Sequence, residues 1–150
     1  MKISVQKEDF DLSTEIDLLR KDFPGIGGIN IFVGTVRDTH QSEDIHALEL
    51  EHYPGMTEKS LEDILQQAKS RWTILNATII HRIGKLMPMD QIVLVAVASP
   101  HRGDAYAACE FIMDYLKTSA PFWKKEHTPG GSRWVDARSS DDERLKKWQI

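Results

Sequence analysis

The order of strand and helix patterns in this 150-residue chain predicts an α+β or α/β sandwich, with helices packed on a mixed sheet. Three observations carry that prediction. Residues 92–99 are apolar almost throughout, the pattern of a central strand. Residues 57–72 and 104–118 place apolar side chains at helical spacing. Short alternating runs over 2–6 and 46–53 supply further strands.

Taken in order, Ile3 and Val5 alternate with polar neighbours in a first strand. A helix opens at Leu12-Ser13-Thr14-Glu15, with Ser13 or Thr14 as N-cap, and Ile16, Leu19 and Phe23 continue its apolar face. Pro24-Gly25-Ile26-Gly27-Gly28 breaks the chain. Residues 29–36 are apolar and β-branched and read as a strand covered on both faces. Gly34 within them marks a bulge or a close approach. Residues 38–44 are polar and read as a mobile loop. In 46–53, Leu48 and Leu50 face one side, Glu49 and Glu51 the other. Pro54 and Thr57 start a long helix with the stripe Leu61, Ile64, Leu65, Ala68 and Trp72. Residues 75–83 and 92–99 are strands, and the helix over 104–118 buries Ala105, Ala108, Cys109, Ile112 and Leu116. Residues 122–128 and 133–135 flank a hairpin-like turn, Pro129-Gly130-Gly131-Ser132. The chain is expected to form one domain, 1–150, with a charged tail from about residue 137.

Composition narrows the function classes. There are 19 basic and 23 acidic residues, a net charge of −4, which argues against a general nucleic-acid binder. One cysteine excludes an intramolecular disulfide and any zinc site built from paired cysteines. The apolar run at 92–98 is far too short to cross a bilayer. The N-terminus meets charge at once and carries no signal-peptide pattern, so a cytoplasmic location is expected.

Familiar catalytic motifs do not fit. The glycines at 25–28 lead into a strand and lack a following Gly-Lys-Ser/Thr, so they form neither a P-loop nor a dinucleotide fingerprint. No Gly-x-Ser-x-Gly elbow occurs. The six histidines show no i, i+4 pair on a helix, and Cys109 reads as a small core residue.

Basic residues are the informative set. Lys117, Lys124 and Lys125 fall within eleven residues that hold no acid. Lys117 suits a helix C-terminus. Lys124 and Lys125 adjoin Phe122 and Trp123, where lost solvation lowers a lysine pKa and fits it for proton transfer near neutrality. Arg37, His101 and Arg102 stand at strand ends, positions that favour anions. The set suggests a pocket for a small anion, a phosphate ester. A helix over 104–118 would separate Arg102 from Lys117 by roughly 20 Å. One site holding both would therefore be shared between two subunits.

At these residues the chain resembles the large, catalytic subunit family of molybdopterin synthase. The matching stretches are Gly27-Gly28-Ile29-Asn30-Ile31-Phe32-Val33-Gly34-Thr35-Val36-Arg37, Leu50-Glu51-His52-Tyr53-Pro54-Gly55-Met56, Ile80-His81-Arg82-Ile83-Gly84, Ser99-Pro100-His101-Arg102, Met113-Asp114-Tyr115-Leu116-Lys117, Ala120-Pro121-Phe122-Trp123-Lys124-Lys125-Glu126 and Arg133-Trp134-Val135. The resemblance implies an α+β fold of the α/β hammerhead type with a small additional β subdomain. It implies a sulfurtransferase that builds the dithiolene of molybdopterin from cyclic pyranopterin monophosphate (precursor Z), with no cofactor. Sulfur would come from the C-terminal thiocarboxylate of a small ubiquitin-like subunit. A homodimer of this chain would bind one such subunit at each end, giving a heterotetramer. Lys117 and Lys124 match the catalytic lysines, and Arg37, His101 and Arg102 the substrate-anion contacts. Thr35, Val36, Lys125 and Glu126 flank these, and Arg138 matches a further basic position. Two turns depart from the pattern: Met87-Pro88-Met89-Asp90 and residues 38–44 each lack a glycine usual there.

Overall fold

The computed structural model describes residues 1–135 and 139–149. Its elements are β1 (Lys2–Gln6), α1 (Leu12–Arg20), β2 (Gly28–Thr35), β3 (Thr39–His40), β4 (Glu43–Asp44), β5 (Ala47–His52), α2 (Met56–Arg71), β6 (Asn76–Arg82), β7 (Gly84–Leu86), β8 (Gln91–Ser99), α3 (Arg102–Ser119), β9 (Phe122–Thr128), β10 (Gly131–Val135) and α4 (Ser139–Leu145), followed by a 3-10 turn at Lys146–Trp148. The α+β expectation is met.

The first sheet has the order β1-β6-β8-β2, with β1 parallel to β6 and the other pairs antiparallel. Strand β8 is central, and its two faces explain its unbroken apolar run. Val93, Val95 and Val97 pack with Leu61, Ile64 and Leu65 of α2 and with Ala108, Phe111 and Ile112 of α3. Leu94, Ala96 and Ala98 pack on the opposite face with Leu19 of α1, Phe10 and Ile80. Side chains alternate across a strand, so burial on both faces demands apolar residues at every position.

Strand β2 differs from expectation. It is an edge strand paired only with β8, and Ile31 and Phe32 are 39% and 43% exposed. A β-branched run alone does not tell a central strand from an edge. The irregularity at Gly34 is present: the register shifts between Gly34 and Thr35. A Cβ on Gly34 would lie 2.7 Å from Val93 Cγ1. Gly27 has a similar reason to be glycine, since a Cβ there would sit 2.0 Å from the Pro100 carbonyl oxygen.

The cap of α1 is Asp11, whose side chain accepts from the Thr14 N–H; Ser13 and Thr14 lie inside the helix. A carboxylate at the N-cap satisfies an orphan donor and suits the helix dipole better than a hydroxyl one turn on. Residues 38–44, expected as a mobile loop, form the β3–β4 hairpin, with Gln41 and Ser42 at φ 53° and 66°. Met89 has φ 77°. Both glycine-deficient turns therefore use the left-handed region that a glycine would enter without strain.

The second sheet, β10-β9-β5-β7, is antiparallel. Its Leu48, Leu50 and Leu86 pack together with Val36. Residues 144–148 of the charged tail pack against α3. Arg144 donates to Asp114 and Glu110, and the Trp148 indole donates to the buried Asp114. Trp148 also meets Trp72 and Phe111 edge-on at 5.5 and 5.4 Å.

Candidate active site

A cavity of about 530 Å³ opens where the two sheets and the C-terminal end of α3 meet. Three elements deliver its basic side chains. Arg37 follows the bulged end of β2, which is pinned because the Val36 N–H donates to the Asp90 carbonyl and the Met89 N–H to that of Val36. Lys117 stands in the last turn of α3, where a cation meets the negative end of the helix dipole. Lys124 lies on β9, where Phe122, Lys124 and Glu126 alternate toward the cavity.

Burial and the neighbouring Lys117 push the Lys124 ammonium down from 10.5 to about 8, while Asp141 and Glu126 pull the other way. The amine can therefore gain or lose a proton close to neutral pH. Thr35, Val36 and Glu126 also line the cavity. Glu126 is buried and heavily engaged, with its carboxylate 2.9 Å from His40 Nδ1 and 3.2 Å from Arg133 Nε. Arg133 also meets Glu43 of the hairpin at 3.0 Å. Glu126 thus ties the β3–β4 hairpin to the cavity wall.

Not all of the expected set converges. Lys125 alternates to the other face of β9, with its ammonium 5.6 Å from the Trp134 ring centroid. His101 and Arg102 sit exposed at the N-terminal end of α3. Fifteen residues separate Arg102 from Lys117, or roughly 22 Å along the helix axis. Neither residue lines this cavity. Arg138 lies outside the described residues. Cys109 is buried against β8, and burial pushes its thiol up to about 12, so it stays protonated and inert.

The cavity also holds residues to which the sequence assigned no role: His40, His81 and Asp141. His81 and its neighbours read as strand, and a lone histidine in an apolar strand carries no local signal of a site. Asp141 comes from the tail, whose return to the cavity is a tertiary event. Among the described residues no three His, Cys, Asp or Glu side chains converge to hold a metal, and no helix is long and apolar enough to cross a membrane.

Known proteins match this arrangement along nearly its whole length. The family described as MoaE protein matches residues 5–119. A molybdopterin synthase catalytic subunit from Ralstonia nicotianae is 60% identical over 148 residues, covering 99% of this chain and 84% of that protein. One from Vibrio cholerae is 52% identical over 148 residues, covering 99% and 98%. Among solved structures, the molybdopterin biosynthesis MoaE protein of Burkholderia ambifaria superposes with a TM-score of 0.86 at 57% identity, covering 99% of this chain and 98% of that one. The molybdopterin synthase of Staphylococcus aureus gives 0.81 at 34% identity, covering 88% and 95%. The chain therefore belongs to the MoaE family, whose curated members named above are catalytic subunits of molybdopterin synthase.

Proposed function

We propose that this chain transfers sulfur from the C-terminal thiocarboxylate of a small ubiquitin-like subunit to cyclic pyranopterin monophosphate, forming the dithiolene of molybdopterin. The observation that carries the reading is the pair Lys117 and Lys124 on one wall of a cavity beside Arg37, with the Lys124 ammonium near 8. A volume of about 530 Å³ lies within the range of small-molecule sites. Arg37 offers two donors to a phosphate. Sulfur transfer breaks the carbon–sulfur bond of the partner's acyl group and opens a cyclic phosphate, and both steps need protons moved or charge stabilised. Lys117 acts at the acyl and sulfur centre, and Lys124 exchanges protons beside it. The partner carries the sulfur, so no cysteine nucleophile is required, in keeping with an inert Cys109.

His101 and Arg102 enter this scheme from a second copy of the chain. They lie at the far end of α3 from Lys117, so a homodimer that juxtaposes opposite helix ends completes the anion site. Two small subunits on that dimer make a heterotetramer.

The test is turnover with precursor Z and a thiocarboxylated small subunit. Lys117→Ala is expected to abolish dithiolene formation while leaving small-subunit binding unchanged. Unchanged turnover would remove the central role of Lys117. No product from the parent chain, with a stable complex still forming, would leave a docking module without chemistry. A mixed dimer of Arg102→Ala and Lys117→Ala chains should recover one intact site; no recovery would refute sharing.

A further inference from the structure

The face of the second sheet opposite Lys124 and Glu126 carries a hydroxyl, an imidazole and a carboxylate in one hydrogen-bonded chain. Strand pairing assembles it. Ser132 of β10 stands directly opposite His127 of β9, and Glu49 of β5 lies one diagonal step from His127, which pairs with Ala47. Ser132 Oγ lies 2.7 Å from His127 Nδ1, and His127 Nε2 lies 2.8 Å from Glu49 Oε1. A carboxylate only accepts, so Nε2 carries the ring proton and gives it to Glu49. In the neutral imidazole the lone pair is then on Nδ1, where the Ser132 hydroxyl donates to it. Nucleophile, base and orienting carboxylate are thus linked in series, with the ring nitrogens exchanged relative to the serine-protease arrangement. Ser132 is exposed, and none of the three residues lines the cavity. The backbone adds a donor. The His127 carbonyl accepts from the His46 N–H on the β5 side, so His127 turns its backbone groups away from β10. Its opposite number Ser132 therefore turns its own N–H away from β9. Among the described residues β10 is the edge of its sheet, and that N–H faces outward with no ladder partner. Trp134, two residues along the same face and 55% exposed, offers a flat surface to an aryl group.

We propose that Ser132, His127 and Glu49 form a second, separate site that hydrolyses small aryl esters through an acyl-serine. The proposal is independent of the sulfur-transfer reading. Ser132 Oγ attacks the ester carbonyl carbon while His127 Nδ1 takes the hydroxyl proton. The carbonyl oxygen becomes an oxyanion beside the outward Ser132 N–H, and the imidazolium is held by Glu49. Collapse breaks the bond between the carbonyl carbon and the aryl oxygen, and the phenol leaves with the proton from Nδ1. Water then attacks the acyl-serine by the same route, releasing the carboxylic acid and restoring the hydroxyl. Ester and water give acid and phenol, with no further reactant. Ser132 and His127 are the catalytic residues. Glu49 is a positioning residue that fixes the ring tautomer.

The test mixes the full-length protein with p-nitrophenyl acetate and follows both p-nitrophenolate release and the acetylated peptide by mass. Acetyl should appear on Ser132 as an ester that hydroxylamine removes. Lys124 is a competing nucleophile, since its amine titrates at about 8, but acetyl-lysine is an amide and resists hydroxylamine. Ser132→Ala should abolish the hydroxylamine-sensitive adduct. His127→Gln should slow its formation about a hundredfold. In Glu49→Gln the new amide can donate to Nε2 and favour the opposite tautomer, so kcat should fall about tenfold at unchanged KM. Loss of packing alone would not produce that split. The outward position of Ser132 lets the Ala variant keep the parent Tm, and His127→Gln supplies an independent reading. Acetylation confined to lysines, a Ser132 adduct that forms as fast in His127→Gln as in the parent, or p-nitrophenolate release by Ser132→Ala equal to the parent overturns the proposal. Ser132→Ala should also leave dithiolene formation at the parent level; a fall there would overturn the separateness of the two sites.

Discussion

Replacing Lys124 by Met should stabilise the fold, with a pH signature that identifies the cause. The fold prefers the neutral amine: the native ammonium titrates at about 8 rather than 10.5. Between those values the unfolded chain binds more protons, so the Lys124 contribution to stability rises with pH across that window. Below pH 8 the penalty is fully present. At about 1.4 kcal/mol per pH unit, the charged lysine costs the native state about 3 kcal/mol. Met removes the charge and the repulsion of Lys117 while keeping most of the aliphatic stem. Thermal or urea unfolding of both proteins from pH 6 to 11 measures the difference. At pH 7 the Met variant should be about 2–3 kcal/mol more stable, a rise of roughly 6–9 °C in Tm for a chain of this size. The gain should shrink from pH 8 upward and vanish above about 10.5, where the parent lysine is neutral in both states. A gain that does not change with pH, or a loss of stability, would refute the argument that Lys124 is held desolvated beside Lys117. Turnover should fall in the same variant, the usual relation between a strained active site and stability.

Glu126→Gln removes the buried carboxylate that His40 and Arg133 share and leaves Arg133 only its pair with Glu43; it should destabilise the protein by about 1–2 kcal/mol, read as a lower urea midpoint. Met89→Gly should stabilise by about 0.5–1 kcal/mol, since Met89 is 87% exposed at φ 77° and loses little packing; a lower Tm would show that the turn is not strained. Gly34→Ala should destabilise by about 2 kcal/mol through the clash with Val93, checked by thermal melting. Cys109 should resist iodoacetamide at pH 8 in the native protein and react once denatured; rapid native labelling would contradict its burial.

Local pattern carried much of this molecule. The stripes Leu61, Ile64, Leu65, Ala68 and Ala105, Ala108, Cys109, Ile112, Leu116 are buried as their spacing required, because a helix face follows from a period of 3.6 residues. The central place of β8 followed from an apolar run with no polar side to expose. That a lysine beside Phe122 loses solvation was legible in the chain, but the burial that lowers the Lys124 pKa comes from the cavity and from Lys117 of α3. The α+β class, the two candidate lysines and Arg37 were thus legible in the chain itself.

Other features had no local cause. Whether residues 28–35 lie at the centre or edge of a sheet depends on which strands arrive beside them, and nothing in Ile29, Ile31 or Phe32 encodes a missing neighbour. The hairpin at residues 39–44 owes its order to Glu126 and Arg133, some ninety residues away, through charge pairs that polar composition alone does not reveal. Lys124 and Lys125 look alike in sequence, yet only strand pairing decides which of them faces the cavity. His81 stays neutral because Phe122 from another sheet covers it, and its ring is oriented by the carbonyl of Arg82. Sequence periodicity determines which face of each element is buried. The partners that a side chain meets across the cavity, and hence its charge and its direction, are set by contacts between segments distant in sequence, which only the tertiary structure brings together.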